Sequence, residues 1–339
     1  MGKNLKFAII GTGMVGAIHA QAIQSVEGAE LVYVHSRNAE MGKAFAERFN
    51  CTYAPGLHEI LSNEDIDAVA VCTPSGSHAD LTILAAQHGK HVMVEKPIDI
   101  DLGKADQAIE QCRRSGVKLS VVFQLRFMPD VVIAKQMLED GLLGKLIEAD
   151  AYLKFYRPES YYRSSQWKGT KQWDGGGALM NQGIHGIDLL LWLAGPVSSV
   201  TAQVRTLKHD IEVEDTAAAI INFEKGAMGV LQGTTSIYPD HPQLLTFHGT
   251  NGTLELAGTE VPYIRQLVLL DRPELNISNV QPPKDQLGEA HRLQYMDFID
   301  AIRHDREPFI NGYEGRKALE LVRAVYMSSE KNGEITLPI

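Results

Sequence analysis

The first 23 residues constrain the fold most strongly, because they join an apolar run, a glycine-rich turn and a stretch of helical apolar spacing. Residues 6–10 are predicted to form a strand and residues 17–23 a helix, and the turn between them is Gly11-Thr12-Gly13-Met14-Val15-Gly16. In such a turn Gly11 permits the sharp bend, Gly13 lets a pyrophosphate approach the backbone, and Gly16 lets the helix pack closely. The helix N-terminus would hold the phosphates. The sequence therefore predicts a dinucleotide-binding unit.

The end of the second predicted strand bears on the choice of dinucleotide. This strand, Leu31 to His35, leads into Ser36-Arg37-Asn38, where an NAD-selective site usually carries an acidic residue for the ribose 2′-hydroxyl. A hydroxyl followed by an arginine suits a 2′-phosphate instead. The alternative that Arg37 stacks on adenine or faces solvent stays open. The sequence favours NADP(H) over NAD(H) and keeps both as candidate cofactors.

Strands and helices continue to alternate as far as Phe123. Buried strands are predicted at residues 68–72, at Val92 up to Lys96, and at residues 119–123. Helices are predicted from Ser77, as the N-cap, to Gly89, and from Asp101 to Arg114 with Gly116 as the stop. This alternation predicts an α/β fold with a parallel, doubly wound sheet, whose ligands bind outside the carboxyl ends of the strands.

The candidate cofactor-binding residues lie in the glycine-rich turn, at the strand ends and close to them. They are Gly11, Thr12, Gly13, Met14, Val15, Gly16, Ser36, Arg37, Cys72, Thr73, Pro74, His78, Glu95, Lys96 and Gln124. Lys96 has a second candidate role, because a lysine at the mouth of a parallel sheet is well positioned for proton transfer.

The pattern changes after residue 123, and a second, α+β domain is predicted for residues 124–339. A helix at residues 129–139 is followed by segments with strand character, at residues 146–156, 200–205, 217–223, 228–235, 244–248 and 253–256. Asn251-Gly252 predicts a type I′ hairpin between the last two. The result is a large, mostly antiparallel open sheet, through which a homodimer or homotetramer is expected.

The C-terminal region is predicted to contain a proline-bearing surface linker, residues 272–288, and two helices, residues 289–304 and 313–330. These helices belong to the second domain or pack back on the first, dinucleotide-binding domain of residues 1–123. The first of the two has an apolar face predicted to be Leu293, Met296, Ile299 and Ile302.

Composition excludes several classes of partner. The net charge of −10 over 339 residues provides no basic surface for nucleic acid. Three cysteines, Cys51, Cys72 and Cys112, form no metal-binding or paired spacing and favour a reducing cytoplasm. The N-terminal apolar run is too short for a signal peptide or membrane span. A small-molecule partner is therefore expected.

A second unusual stretch runs from Asp174 to Asp188. Its three consecutive glycines, residues 175–177, are expected to let the backbone approach a ligand. The helical register that follows places Asn181, His185 and Asp188 on one face. A histidine held by Asp188 in the core is the structural alternative. No metal is expected, because a third strong ligand is missing.

The stretch from Tyr156 to Lys171 is rich in aromatic and basic residues. Aromatic faces stack on sugars, and arginine or lysine binds hydroxyls, carboxylates or phosphates. A subunit interface or a solvated loop would have a similar composition. With residues near the end of the sheet, the candidate substrate-binding set is Lys96, Arg126, Tyr156, Arg163, Trp167, Lys168, Asn181, His185 and Asp188.

The glycine-rich turn, Cys72-Thr73-Pro74, Glu95-Lys96-Pro97 and the 175–188 stretch, in this order and spacing, resemble the Gfo/Idh/MocA family of NAD(P)-dependent oxidoreductases. The resemblance implies a Rossmann domain followed by an α/β domain with an open sheet, and activity on sugars, inositols and related polyols. It implies that Lys96 and His185 take part in proton transfer. It also implies a cis Lys96-Pro97 peptide bond.

One position departs from the family's inositol dehydrogenases, which have an aspartate where this chain has Asn181. An amide does not take a proton at neutral pH, so Asn181 is expected only to hydrogen-bond substrate. The local sequence is closer to members that act at C3 of hexoses or of nucleotide-linked aminouronic acids. The expected reaction is hydride transfer between a secondary alcohol and nicotinamide C4, with Lys96 as base. A keto-sugar or dihydrodiol reductase, or a non-catalytic cofactor-sensing regulator, are the alternatives.

Overall fold

The alternating strands and helices of the N-terminal region form a parallel sheet in the computed structural model, which describes residues 3–278, 280 and 287–339. The strands are β1 (Leu5–Ile10), β2 (Ala29–His35), β3 (Thr52–Ala54), β4 (Ala68–Val71), β5 (His91–Val94) and β6 (Leu119–Val121). The helices are α1 (Met14–Gln24), α2 (Ala39–Arg48), α3 (Leu57–Leu61), α4 (His78–Gln87) and α5 (Leu102–Ser115). Neighbouring strands are parallel in the order β3-β2-β1-β4-β5-β6. The predicted doubly wound sheet is confirmed, with its switch point between β1 and β4.

Local signals set most of these helix ends. Asp101 caps α5 by accepting a hydrogen bond from the Lys104 amide at 2.9 Å, and Gly116 ends the helix with a φ of +66°. Gly89 follows α4 with a φ of +71°. Ser77 is the N-cap of α4, as predicted, but its side chain makes no capping hydrogen bond. A 3₁₀ turn precedes α4, and the Ser77 hydroxyl donates back to Pro74 O at 2.7 Å.

The second half of the chain forms a mixed sheet. Its strands are β7 (Leu146–Lys154), β8 (Val197–Arg205), β9 (Thr216–Phe223), β10 (Met228–Thr234), β11 (Gln243–Gly249), β12 (Gly252–Gly258), β13 (Tyr263–Leu269) and, near the C-terminus, β14 (Ile335–Thr336). The order is β13-β12-β11-β7-β10-β9-β8-β14, and only the β7–β10 pair is parallel among these described strands. The prediction of a mostly antiparallel sheet is confirmed.

The helices of this half are α6 (Pro129–Glu139), α7 (Glu159–Arg163) and α8 (Ile184–Ala194), with a π-helical segment at Ala178–Gly183. Two longer helices follow, α9 (Leu287–Arg303) and α10 (Gly312–Lys331). No helix in the described ranges is long and apolar enough to cross a membrane. Part of the predicted linker, residues 279 and 281–286, lies outside the described residues.

The β11–β12 hairpin forms where Asn251-Gly252 predicted it, but not as a type I′ turn. Neither residue has a positive φ, which that turn requires. The Asn251 side chain instead donates to Leu142 O at 2.9 Å and to Asp271 at 2.7 Å. A Cβ on Gly252 would lie 2.4 Å from Val268 O, so glycine is needed there for close packing rather than for an unusual φ.

The chain divides into two compact units. The first comprises Met1–Gln124 and Leu287–Arg316, and the second comprises Leu125–Gln286 and Lys317–Ile339. In the first unit α9 packs on α1, and the rings of Tyr295 and Phe298 lie 5.6 and 6.4 Å from that of Phe7. The apolar face predicted for α9 is confirmed in part, since Ile299 is buried and Ile302 packs against the core. Met296 is 44% exposed, and the buried face carries His291, Gln294, Tyr295 and Phe298.

Candidate active site

The glycine-rich turn joins β1 to α1 and leaves space beside its backbone. Gly11 has a φ of +115°, and a Cβ there would lie 2.4 Å from Cys72 O. A Cβ on Gly16 would lie 2.3 Å from Gly11 O, whereas nothing stands within 4 Å of a Cβ on Gly13. Gly13 is the N-cap of α1, which has neither a side-chain cap nor an acidic residue in its first turn. The amides of this turn are therefore suited to an anion.

The end of β2 carries no carboxylate at residues 36–38. The Ser36 hydroxyl accepts hydrogen bonds from Thr12 Oγ1 at 2.9 Å and from the Asn38 amide at 3.3 Å. Asn38 in turn caps α2 by accepting from the Met41 amide at 3.1 Å. Arg37 is exposed. Ser36 is thus fixed beside the glycine-rich turn, next to an accessible guanidinium.

The carboxyl ends of β4 and β5 are joined by a buried histidine. The His78 ring lies 2.7 Å through Nδ1 from Pro97 O and 2.7 Å through Nε2 from Thr73 O. These two contacts occupy both ring nitrogens. The ring is 1% exposed, so neither nitrogen is left to bind the dinucleotide as the sequence suggested. The Lys96-Pro97 peptide is cis, as the resemblance implied.

Glu95, another of the predicted cofactor-binding residues, is hydrogen-bonded within the first unit. Its Oε1 accepts from His19 Nε2 at 2.9 Å and its Oε2 from the Lys96 amide at 3.1 Å. Burial raises the pKa of Glu95. The hydrogen bond and charge of His19 and the charge of Lys96 together have the larger effect and lower this pKa to about 2. The carboxylate is therefore ionised and committed to partners inside the first unit.

His19 is the second buried member of this group. Its Nδ1 lies 2.6 Å from the Tyr295 hydroxyl, and its ring meets that of His291 edge-on with centroids 5.6 Å apart. Burial lowers the pKa of His19, but Cys72, Tyr295 and Glu95 raise it well above its ordinary value. His19 and Glu95 thus form an imidazolium–carboxylate pair with no solvent around the ring.

Within the described part of the chain, His19, Glu95 and His291 are the one group of three whose ligand atoms are close enough to hold a metal ion. Both nitrogens of His19 already make contacts, to Glu95 at 2.9 Å and to Tyr295 at 2.6 Å. An ion bound through His19 Nε2 would have to replace the hydrogen bond that this nitrogen makes to Glu95. The geometry fits a hydrogen-bonded network better than a metal centre.

In the second unit two of the three glycines at 175–177 make room for other parts of the protein. A Cβ on Gly176 would lie 2.1 Å from the Tyr326 hydroxyl, and one on Gly177 would lie 2.0 Å from Glu214 O. The Glu214 side chain accepts from the Gly177 and Leu179 amides at 2.9 Å each and from Tyr326 at 2.8 Å. Burial raises the pKa of Glu214 despite these hydrogen bonds. Packing within the protein therefore accounts for Gly176 and Gly177, and a ligand approach at these glycines stays a prediction.

The π-helical segment displaces the predicted single face. Asn181 lies within it and His185 in the following α8, and both are half-buried. Asp188 is 1% exposed and pairs with Arg126 inside the unit. The three residues therefore do not belong to one regular α-helix, since Asn181 lies in the π-helical segment and His185 and Asp188 lie in α8. Asn181 and His185 remain as the accessible pair.

Asn181 lies in a polar cluster that the sequence only partly identified. Its amide nitrogen donates to Asp174, and its oxygen accepts from Gln182 Nε2 at 2.8 Å. Gln182 also donates to the Tyr161 hydroxyl at 2.8 Å, and Arg157 donates to Gln182 Oε1 at 2.7 and 3.0 Å. Asp174, Tyr161, Gln182 and Arg157 were not among the predicted site residues, although all lie in the two stretches that the sequence singled out.

The residues predicted from the aromatic and basic stretch, residues 156–171, have different surroundings in the structure. Lys168 Nζ stands 4.0 Å from the centre of the Tyr161 ring, beside the Asn181 cluster. Burial lowers the pKa of Lys168, and Asp174 opposes this. Arg163 is exposed and pairs with Glu159 at 3.4 Å.

Two further predicted substrate contacts have other surroundings. Tyr156 packs edge-on against Tyr238 with centroids 5.1 Å apart, and Lys208 Nζ stands 4.5 Å from its ring. Trp167 is half-buried, and its carbonyl accepts from the Thr170 hydroxyl at 2.7 Å. Of the residues predicted from the stretch, Lys168 therefore contacts the Asn181 cluster through its side chain, and Tyr156 does so through its carbonyl, which accepts from Arg157 Nη1 at 2.8 Å.

Two family models match most of the chain. Residues 5–123 match an oxidoreductase family with an NAD-binding Rossmann fold, and residues 131–255 match the GFO/IDH/MocA C-terminal domain.

Similar proteins span nearly its whole length. The scyllo-inositol 2-dehydrogenase (NAD(+)) of Bacillus subtilis is 26% identical, over 98% of this chain and 96% of that protein. The inositol 2-dehydrogenase of Rhizobium meliloti is 27% identical, over 98% of this chain and 99% of that protein. The WlbA dehydrogenase of Bordetella pertussis, solved with NADH and UDP-GlcNAcA, is 33% identical, with a TM-score of 0.90 over 99% of this chain and 100% of that one.

Proposed function

The chain belongs to the Gfo/Idh/MocA family of NAD-dependent dehydrogenases, and on that basis we propose that it transfers hydride between a secondary alcohol of a sugar or sugar derivative and a nicotinamide dinucleotide. The observation that carries the proposal is in the first unit. An open, uncapped start of α1 and the Glu95-Lys96-cis-Pro97 turn both follow strands of one parallel sheet. Ligands of such sheets bind at the carboxyl ends of the strands.

The first unit fits a dinucleotide. The space beside Gly13 and the first-turn amides of α1 would hold the pyrophosphate. Gln124 Oε1 is buried and has no hydrogen-bond partner among the described residues, so it is available to a donor such as a carboxamide N–H. When bound there, the nicotinamide supplies the acceptor or donor of hydride.

Lys96 and His185 carry the proton chemistry in this proposal. As a secondary alcohol becomes a ketone, its hydroxyl proton must be taken by a group within hydrogen-bond reach. We assign Lys96 Nζ as that base and His185 as its co-catalyst or orienting donor. Asn181 holds a substrate hydroxyl, since its amide cannot take the proton. In reduction, Lys96 returns the proton to the new alkoxide.

The substrate class is proposed from similarity and charge together. The WlbA dehydrogenase, 33% identical, was solved with a nucleotide-linked uronic acid derivative. Beside Asn181 this chain presents Arg157 and Lys168, which suit a carboxylate or phosphate. We therefore propose oxidation or reduction at C3 of a hexose or of a nucleotide-linked sugar, with an anionic sugar preferred over a neutral polyol.

The exposed face of the second unit's sheet supports self-association as a homodimer or homotetramer. β9 alternates buried residues with exposed Ala218 and Ile220, and Ile220 lies opposite Val230 of β10. Ile147, Ile220 and Met228 are each more than half exposed. Apolar side chains on an open sheet commonly mark an interface. The molar mass in solution, measured by sedimentation, tests this.

A cytoplasmic location is also part of the proposal. The three cysteines, Cys51, Cys72 and Cys112, are free, as expected in a reducing compartment.

One spectrophotometric experiment tests the function. Formation and consumption of reduced dinucleotide at 340 nm are followed with NAD and NADP over a panel of inositols, neutral hexoses, uronic acids and UDP-linked sugars. We expect turnover with at least one anionic sugar, and loss of turnover with retained dinucleotide binding in Lys96→Ala. Lys225→Ala, at an exposed turn, is the control. Near-normal kcat in Lys96→Ala would refute the assignment of the base.

A further inference from the structure

We propose that His19, Glu95 and His78 are positioning residues that hold the backbone of Lys96 from both sides. The inference rests on the proposed function, because it concerns how the lysine is directed at its substrate. None of these three side chains is itself placed to meet a ligand, since each has its polar atoms bonded within the first unit.

The N-terminal side of Lys96 is held by Glu95. The Lys96 amide donates to Glu95 Oε2 at 3.1 Å, and His19 Nε2 donates to the other oxygen at 2.9 Å. An ionised carboxylate only accepts, so the two donors fix the plane of the Glu95 group. The His19 ring is fully buried and the Glu95 side chain nearly so, so water does not compete for either bond.

His19 is itself fixed by α9. Its second nitrogen lies 2.6 Å from the Tyr295 hydroxyl, and the His291 ring meets it edge-on. His19 belongs to α1, the helix whose first turn would bind the pyrophosphate. A continuous path of contacts therefore runs from α9 through α1 to the peptide of Lys96.

The C-terminal side of Lys96 is held by His78. Its Nδ1 lies 2.7 Å from Pro97 O and its Nε2 lies 2.7 Å from Thr73 O. This single ring ties the end of β5 to the end of β4. With Glu95 on one side and His78 on the other, the backbone on either side of Lys96 is restrained by buried groups, and this sets the direction of its side chain.

Asparagine and glutamine variants distinguish the hydrogen bond made by Nδ1 of each histidine from the one made by Nε2. The amide of asparagine reaches the position of Nδ1, and that of glutamine the position of Nε2. His19→Gln keeps the bond to Glu95, whereas His19→Asn loses it. His78→Asn keeps the bond to Pro97 O, whereas His78→Gln loses it. The two sites should therefore show opposite preferences, which a general effect of removing a buried ring would not produce.

Steady-state kinetics and dinucleotide binding read out this pattern. We expect His19→Asn and His78→Gln to lower kcat about 10- to 100-fold, since small misplacement of a reacting group has effects of this size. His19→Gln and His78→Asn should stay within several-fold of the unmodified chain, and the dinucleotide Kd should change less than threefold in all four. Equal kcat for the two variants at each site, or a loss of dinucleotide affinity in step with kcat, would overturn the proposal.

Hydrogen exchange gives a readout that needs no turnover. Mass spectrometry with single-amide resolution should show faster exchange of the Lys96 amide in His19→Asn than in His19→Gln. If no sugar is turned over, the proposed function fails while this comparison still decides the positioning role. Tyr295→Phe, which removes one hydroxyl, repeats the comparison if His19→Asn does not fold. Unchanged exchange at Lys96 in both variants would refute the role of His19.

Discussion

Arg126 and Asp188 form a bidentate ion pair inside the second unit. Arg126 Nε and Nη2 donate to the two carboxylate oxygens at 2.8 and 2.6 Å, and each side chain is 2% exposed. The guanidinium also lies 5.5 Å from the centre of the Trp192 ring. The sequence suggested that both residues bind substrate. Their mutual pairing instead supports a role in holding α8, the helix that carries His185.

Breaking this pair from one side should strongly destabilise the second unit. Asp188→Ala leaves a buried guanidinium uncompensated, so we expect the free energy of unfolding to fall by roughly 3–5 kcal/mol. Denaturant unfolding measures it. Glu159→Ala, which breaks the exposed pair with Arg163, is the control and should change stability by less than about 1 kcal/mol. Equal effects of the two variants would contradict the ion pair's importance.

Two glycines of the dinucleotide turn should respond in opposite ways to an added methyl group. Gly13→Ala enters open space, so its stability should change by no more than about 1 kcal/mol. Its dinucleotide Kd should rise by about tenfold or more, because the methyl group stands where the pyrophosphate approaches.

Gly16→Ala meets Gly11 O at 2.3 Å and should destabilise by about 1–3 kcal/mol, as overpacking does. Thermal unfolding and isothermal titration of NADH against both variants make the comparison. Tight dinucleotide binding by Gly13→Ala would show that the phosphates lie elsewhere.

The elements that the sequence predicted well are those with local causes. Continuous apolar runs predicted the central parallel strands, and Asp101 and Gly116 predicted both ends of α5. The Asn251-Gly252 hairpin was predicted for its position but not its turn type, because its geometry is set by Leu142 and Asp271 from outside the loop. Contacts distant in sequence cannot be read from a dipeptide.

Buried polar groups were the main source of error at the candidate site. Apolar periodicity placed Met296 in the α9 face, whereas His291, Gln294 and Tyr295 occupy it. Gln294 is buried because it donates to Ser120 Oγ and Val121 O. Glu95 and His78 were taken as ligand contacts because polar residues near a strand end often are. Only the structure reveals that their partners, His19 and two carbonyls, lie within the protein.

Arg37 should determine the tolerance for NADP(H). The exposed guanidinium follows Ser36, whose hydroxyl is fixed beside the glycine-rich turn. The proposal is that Arg37 binds the 2′-phosphate through charge-assisted hydrogen bonds. Arg37→Ala should lower kcat/KM for NADP about tenfold or more, which corresponds to one hydrogen bond to a charged group, and change kcat/KM for NAD less than threefold.

Arg48→Ala is a matched control for that experiment, since Arg48 is also exposed and lies over the Phe49 ring at the far end of α2. It should affect neither dinucleotide. A parallel loss of kcat/KM for NAD and NADP in Arg37→Ala would assign the arginine to adenine stacking instead.

Glu95 should make the first unit acid-sensitive. Its pKa is lowered from 4.5 to about 2. A lowered pKa in the folded state contributes stability that is complete above the ordinary value and is lost as the pH falls towards the folded one. The raised pKa of His19 contributes stability below its ordinary value of 6.5, which is lost as the pH rises through the folded value. The His19–Glu95 pair therefore contributes most to the free energy of unfolding between about pH 5 and 6.

Replacing Glu95 tests both pH dependences, that of Glu95 at low pH and that of His19 at higher pH, in one experiment. Glu95→Gln should lower the free energy of unfolding by on the order of 3 kcal/mol near pH 6, because it leaves His19 without its charge partner. The deficit should shrink towards pH 3, where Glu95 of the unmodified chain begins to protonate.

Glu110→Gln is the control, because Glu110 has an equally low pKa of about 2 but pairs with arginines on the surface, where ion pairs contribute little. Thermal unfolding of the three proteins from pH 3 to 8 gives the comparison. A deficit in Glu95→Gln that stays constant across this range would mean that His19 and Glu95 interact through hydrogen bonding as two uncharged groups and do not form an ion pair.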